Sequence, residues 1–90
     1  ERFVLRATNA ETVRLAAENL QGLNRRFPLG PLRAGSGGVN GPWTWHLDPD
    51  ETRMVEAAIE VCDGKPSYVE GHKSDFPTYC PWSARVVGRK

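Results

Sequence analysis

The sequence predicts an α+β fold: a small antiparallel or mixed sheet carrying one main amphipathic helix, with a ferredoxin-like layout as the nearest familiar arrangement. Three observations carry this expectation. An alternating segment, RFVLRA (2–7), runs straight into a stretch with helical apolar spacing. Short apolar runs divided by glycine and proline fill much of the remaining chain. Two cysteines, Cys62 and Cys80, lie beside turn residues where one bridge would brace a small core.

In RFVLRA, Phe3, Leu5 and Ala7 alternate with Arg2, Val4 and Arg6, the period of a strand with one apolar face. Thr8 and Asn9 then offer a helix cap, and Thr8 with Glu11 three residues on fits a capping box. Val13, Ala16, Ala17 and Leu20 follow at helical spacing, and Gly22 is the natural stop. Residues 24–42 hold three prolines and five glycines, which discourage helix; a short strand is expected around Leu32–Ala34. Thr44–Leu47 is a second short strand. Residues 51–62 are ambiguous: Asp48-Pro49 could open a helix, yet Val55, Ala57, Ile59 and Val61 alternate with Glu56, Ala58 and Glu60, which favours strand. Residues 66–76 suggest an irregular helix with Pro66 near its start, and 83–89 a last strand.

At 90 residues the chain is expected to form one domain, 1–90, with a core small enough to profit from a staple. Cys62 and Cys80 read either as a disulfide or as two free thiols, and the flanking Asp63-Gly64 and Pro81 favour the bridge. Lys plus Arg number 12 against 11 Asp plus Glu, a net charge of +1, which argues against nucleic acid as a partner. No apolar run approaches the roughly 20 residues of a membrane span. No signal peptide is visible, but a mature secreted chain would already have lost one. Two thiols and two distant histidines, His46 and His72, lack the close ligand pairs of a metal site, and no cofactor is implied.

Catalysis is not expected. Ser36, His46 and Asp48 could be drawn as a triad, but no nucleophile elbow surrounds the serine. GSGG (35–38) lacks the lysine of a phosphate loop. The stretch that stands out is 31–43. Arg33-Ala34 sits between a proline-rich approach (Pro28, Pro31) and a glycine-rich exit. A stiff projecting segment costs little to order on binding, which suits an inhibitor that fills a protease cleft. On this reading Leu32, Arg33, Ala34, Gly35, Ser36 and Trp43 contact the protease, with Arg33 as the anchor in a trypsin-like specificity pocket. Trp43 and Trp45, two apart, share a strand face and either cap the core or rim a protein-binding patch.

Three stretches, PWTWHLDP (42–49), IEVCDGKPSYVE (59–70) and CPWSARVV (80–87), resemble a family of small secreted bacterial proteins known as calmodulin-binding. That family is similar to the N-terminal domain of an amoebal cyclic-AMP-inducible prespore protein. The resemblance implies export to an extracellular compartment and a Cys62–Cys80 bridge. GSGG and the Pro42-Trp43 pair also echo chagasin-type cysteine-protease inhibitors, whose third loop is absent here. The expectation is therefore a secreted domain that binds another protein, most concretely a proteinase inhibitor, or alternatively a secreted module for calcium, carbohydrate or calmodulin.

Overall fold

A computed structural model describes residues 1–58 and 61–89. Its elements run α1 (Ala10–Leu20), β1 (Phe27–Ala34), β2 (Trp45–Leu47), β3 (Arg53–Val55), α2 (Pro66–Gly71), a 3-10 turn (Lys73–Asp75) and β4 (Thr78–Tyr79). The chain is thus α+β, with one main helix, a small antiparallel sheet and one disulfide.

The sheet is organised around β1. β2 pairs with its C-terminal end, Leu32–Ala34 opposite Leu47–Trp45. β3 pairs with its N-terminal end, Phe27–Leu29 opposite Val55–Arg53, and β4 with Gly30 and Pro31 at its middle. All three pairings are antiparallel, and no strand precedes α1 among the described residues, so the β-α-β opening of a ferredoxin-like layout does not form. β1 passes through Pro28 and Pro31, neither of which has an N–H to give. The Pro31 carbonyl still accepts from Asp48 N–H at 2.9 Å, so the ladder survives on its acceptor side.

The first predicted strand, 2–7, is not a strand. Its alternation reports burial in part: Phe3, Leu5 and Ala7 are half-buried and Arg2 and Arg6 exposed, but Val4, expected on the arginine face, is half-buried as well. Phe3 and Leu5 pack on the core. The backbone is satisfied differently, Val4 N–H donating to the Asn40 side chain at 2.7 Å and Thr8 N–H to the Pro49 carbonyl at 3.1 Å.

Helix α1 begins where Asn9 keeps an extended backbone and its Oδ1 accepts from Thr12 N–H at 3.1 Å. Thr8 is not the cap; its hydroxyl donates to Asp50 at 2.6 Å. The helix stops at Gly22, whose φ of 78° is left-handed. Gly22 N–H then reaches the Asn19 carbonyl and Leu23 N–H the Glu18 carbonyl, at 3.0 and 2.9 Å, a Schellman ending. The buried face differs from the predicted apolar stripe. Thr12, Leu15 and Asn19 are buried, whereas Val13 and Leu20 are exposed. The polar pair docks by hydrogen bonds: Thr12 Oγ1 donates to the Thr52 carbonyl at 3.0 Å, and Asn19 Nδ2 to the Arg26 carbonyl at 2.8 Å.

The expected strand across 54–62 is confined to β3. β1 begins at Phe27, opposite Val55, so no backbone lies ready to pair with 56–58; Ile59 and Glu60 fall outside the described residues. The predicted strand at 83–89 does not form either. A turn closed by Ala84 N–H on the Pro81 carbonyl, at 3.1 Å, leads the chain off the sheet. Val86 N–H then donates to Asn19 Oδ1 at 2.7 Å, against α1. The last strand is instead the short β4. The irregular helix does form, as α2 with Pro66 in its first turn, followed by the 3-10 turn.

Trp45, Leu47, Val69, Phe76 and Tyr79 make the main core, and Phe27 packs with Cys62 and Cys80 in a second cluster. Cys62 and Cys80 are bridged, with Cα atoms 5.1 Å apart across 18 positions of sequence. Closing a loop of that length is worth about 3 kcal/mol by loop entropy. Replacing both cysteines by alanine is therefore expected to lower unfolding free energy by about 3 kcal/mol in urea melts, and adding a reductant to the parent should reproduce the loss.

Candidate functional site

The segment 31–43 divides in two. Leu32, Arg33 and Ala34 belong to β1, opposite Leu47, His46 and Trp45. The Arg33 guanidinium lies 3.1 Å from Asp48 and 3.4 Å from Glu51. It is held by carboxylates of its own chain, so the expected free anchor for a trypsin-like pocket is not what forms.

Residues 35–44 then fold back instead of projecting. Gly35, Gly37 and Gly38 have φ of 83°, 63° and 79°. A Cβ on Gly37 would come within 2.6 Å of the His46 ring, so the glycine-rich tract lets backbone lie flat on that imidazole. His46 Nδ1 is 2.8 Å from the Gly35 carbonyl. Ser36 is half-buried and its Oγ accepts from Gly38 N–H at 3.3 Å. Thus neither Ser36 nor Asp48 engages His46, and no triad is drawn together.

Asn40 is the pin of this loop. It is fully buried, accepts from Val4 N–H, and donates through Nδ2 to the Trp45 carbonyl at 2.8 Å. A cis Gly41-Pro42 bond follows. Trp43 stacks on Trp45 with ring centroids 6.3 Å apart, and its Nε1 donates to the Arg2 carbonyl at 2.9 Å. Trp43 therefore joins the wall of the core. Beyond it, Thr44 N–H donates to Glu70 at 2.8 Å, the Thr44 hydroxyl contacts the same carboxylate, and Lys73 Nζ reaches the Thr44 hydroxyl at 2.6 Å. The loop is thereby clasped to α2.

One side of β1 stays open beside it. Pro31 O and Gly35 N–H both point to β2, accepting from Asp48 and donating to Thr44. Alternation along a strand turns Leu32 and Ala34 the other way. Leu32 N–H donates to the Pro77 carbonyl at 3.0 Å, but β4 pairs only as far as Pro31. The Ala34 N–H and carbonyl are left facing a shallow groove lined by Leu32, Arg33, Ala34, Lys73, Phe76 and Pro77. Of the six predicted contact residues, Leu32 to Ser36 are contiguous here, while Trp43 is committed to the core.

A family model, the BP-74 N-terminal domain, matches residues 1–90. The chain belongs to the BP-74 N-terminal domain family. No curated protein and no solved structure matches it.

In this BP-74 N-terminal domain the residues that place the groove are polar ones that pattern reading passed over. Asn40 fixes the loop, and Glu70 with Lys73 fixes its exit. The sequence signal for the first is its position before Gly41-Pro42, which marks a turn; Trp43 N–H closes that turn on the Asn40 carbonyl at 3.0 Å, and the side chain bonds Val4 and Trp45 instead. Hydrogen bonds from the Thr44 hydroxyl and N–H hold the Glu70 carboxyl below its ordinary value of 4.5, and Lys73 adds to this. A carboxyl depressed in the folded state stabilises above its unfolded value, and that contribution is lost as pH falls through the folded one. NMR titration should find Glu70 protonating below 4.5. Replacing Thr44 by valine should move it back up towards that value.

Proposed function

We propose that this member of the family is a secreted protein-binding domain, and that its contact runs along Leu32–Ser36. The observation that supports this most is the open edge of β1 at Ala34, backed by a loop that is already ordered. An exposed strand edge recruits an extended segment through backbone hydrogen bonds. A preordered edge has little entropy left to lose on pairing.

Occlusion of a proteinase cleft is the most concrete form of this reading, because such clefts grip substrates as extended backbone. With Arg33 engaged by Asp48 and Glu51, the grip falls on the main chain and on Leu32 and Ala34. The buried disulfide and the family resemblance support an exported protein, since bridges persist in oxidising compartments. Of the alternatives without inhibition, carbohydrate binding has one observation in its favour, the half-exposed Trp82 and Tyr68.

The test is inhibition of trypsin, subtilisin and papain by the pure chain. At least one should be inhibited at micromolar concentration. Proline is tolerated where a strand N–H faces solvent, so Ala34→Pro should fold yet bind at least about tenfold more weakly, one lost charge-free hydrogen bond plus a steric clash. Arg33→Ala should change inhibition by less than about threefold, as for an exposed ion pair. No inhibition of any of the three would remove the proteinase reading.

A further inference from the structure

A second surface lies away from the β1 edge, where the C-terminal segment crosses the end of α1. Asn19, in the last turn of the helix, is its hub. Its Oδ1 accepts from Val86 N–H at 2.7 Å, and its Nδ2 donates to the Arg26 carbonyl at 2.8 Å. Asn24 Nδ2 in turn donates to the Leu15 carbonyl at 3.0 Å, which lays residues 24–26 back along the helix. Two chain segments therefore flank one helix end.

What these segments expose is both apolar and cationic. Leu23 is 69% exposed, Val87 51% and Leu20 37%. Arg25, on the same segment as Leu23, and Arg85 and Arg89, on the same segment as Val87, are exposed. None of the three makes an ion pair or side-chain hydrogen bond among the described residues, and two carboxylates, one on α1 and one just after β3, are engaged by other arginines. Glu18 is 2.7 Å from Arg14, and Glu56 is 3.0 Å from Arg26. The chain as a whole is nearly neutral at +1, so this concentration of uncompensated arginines is a local property. Arginine beside exposed leucine and valine is the composition of a recognition patch, because a guanidinium pairs with carboxylates while apolar neighbours exclude water around the contact.

We infer that this surface docks an acidic, amphipathic segment of a partner protein, its carboxylates meeting Arg25, Arg85 and Arg89 and its apolar side chains covering Leu20, Leu23 and Val87. An anionic membrane is the less suitable occupant. Lipid headgroups are recruited by clusters of four to eight basic residues, each adding about 1 kcal/mol, and the patch offers three among the described residues. This contact is independent of the Leu32–Ser36 edge, so the two can fail separately.

The test uses two probes against the full chain, followed by backbone amide NMR. One is a synthetic acidic amphipathic peptide built of glutamate and leucine; the other is vesicles of phosphatidylserine and phosphatidylcholine in equal parts. The peptide should shift the amides of residues 19–25 and 84–89 and leave 32–36 unmoved. Doubling the salt should weaken it, as screening requires. The Arg25→Glu/Arg85→Glu variant should bind it at least about tenfold less well, as for charge pairs made at an interface. Leu23→Ser, at a residue too exposed to matter for folding, should also weaken it. Absence of binding, shifts elsewhere on the domain, binding untouched by charge reversal, or binding to vesicles in preference to the peptide would each overturn the inference.

Discussion

Every strand of the sheet is paired to β1, and β1 is a strand that two prolines deprive of donors. That constraint shapes the rest of the structure. A strand lacking N–H groups at Pro28 and Pro31 cannot sustain long, uniform ladders. It is instead paired in three short pieces, each ending where the next begins. The sheet is accordingly small, and the backbone it leaves unpaired is satisfied by other means or stays open to solvent.

Side-chain amides supply much of that satisfaction. Asn9 caps α1, Asn19 ties the helix to the chain on either side of it, and Asn40 joins the first segment, the glycine-rich loop and β2. Two of these are buried. A buried amide with all its partners stabilises and specifies, while one left unpartnered costs the full desolvation penalty, about 1–3 kcal/mol. The architecture is thus held as much by polar cross-links as by its two apolar clusters, with the disulfide fastening the smaller of them. Glu1 does similar work at α2, where its carboxylate accepts from Ser67 N–H at 2.8 Å in the helix's first turn.

The same feature explains what could be read from residues and what could not. Local chemistry was legible: Gly22 as a helix stop, a strand at 44–47 that forms over Trp45–Leu47, Pro66 at a helix start, and Cys62 with Cys80 as a staple. Burial was legible in 2–7, where alternation located Phe3 and Leu5 correctly. The identity of the bonding partner was not, because periodicity reports which side is apolar and is silent on whether a ladder or an asparagine takes the N–H. The buried face of α1 departs from its hydropathy pattern for a related reason. Hydropathy ranks Val13 and Leu20 above Thr12 and Asn19, yet the latter two are buried because each finds a carbonyl. In the candidate site, proline and glycine flanks mark 31–43 as the expected contact segment, but the capture of Arg33 by Asp48 and Glu51 depends on how residues 48–51 fold back beside β1.

The function proposed for the domain rests on one backbone distinction, that β1 is closed on both sides at Leu32 and open on one side at Ala34. Native-state hydrogen exchange measures it directly, amide by amide. Leu32 and Gly35, bonded to the Pro77 and Thr44 carbonyls, should exchange slowly, and Ala34 between them should exchange at a rate near that of an unprotected amide. Protection of Ala34 equal to that of its neighbours would mean that the edge is closed, and would contradict the account.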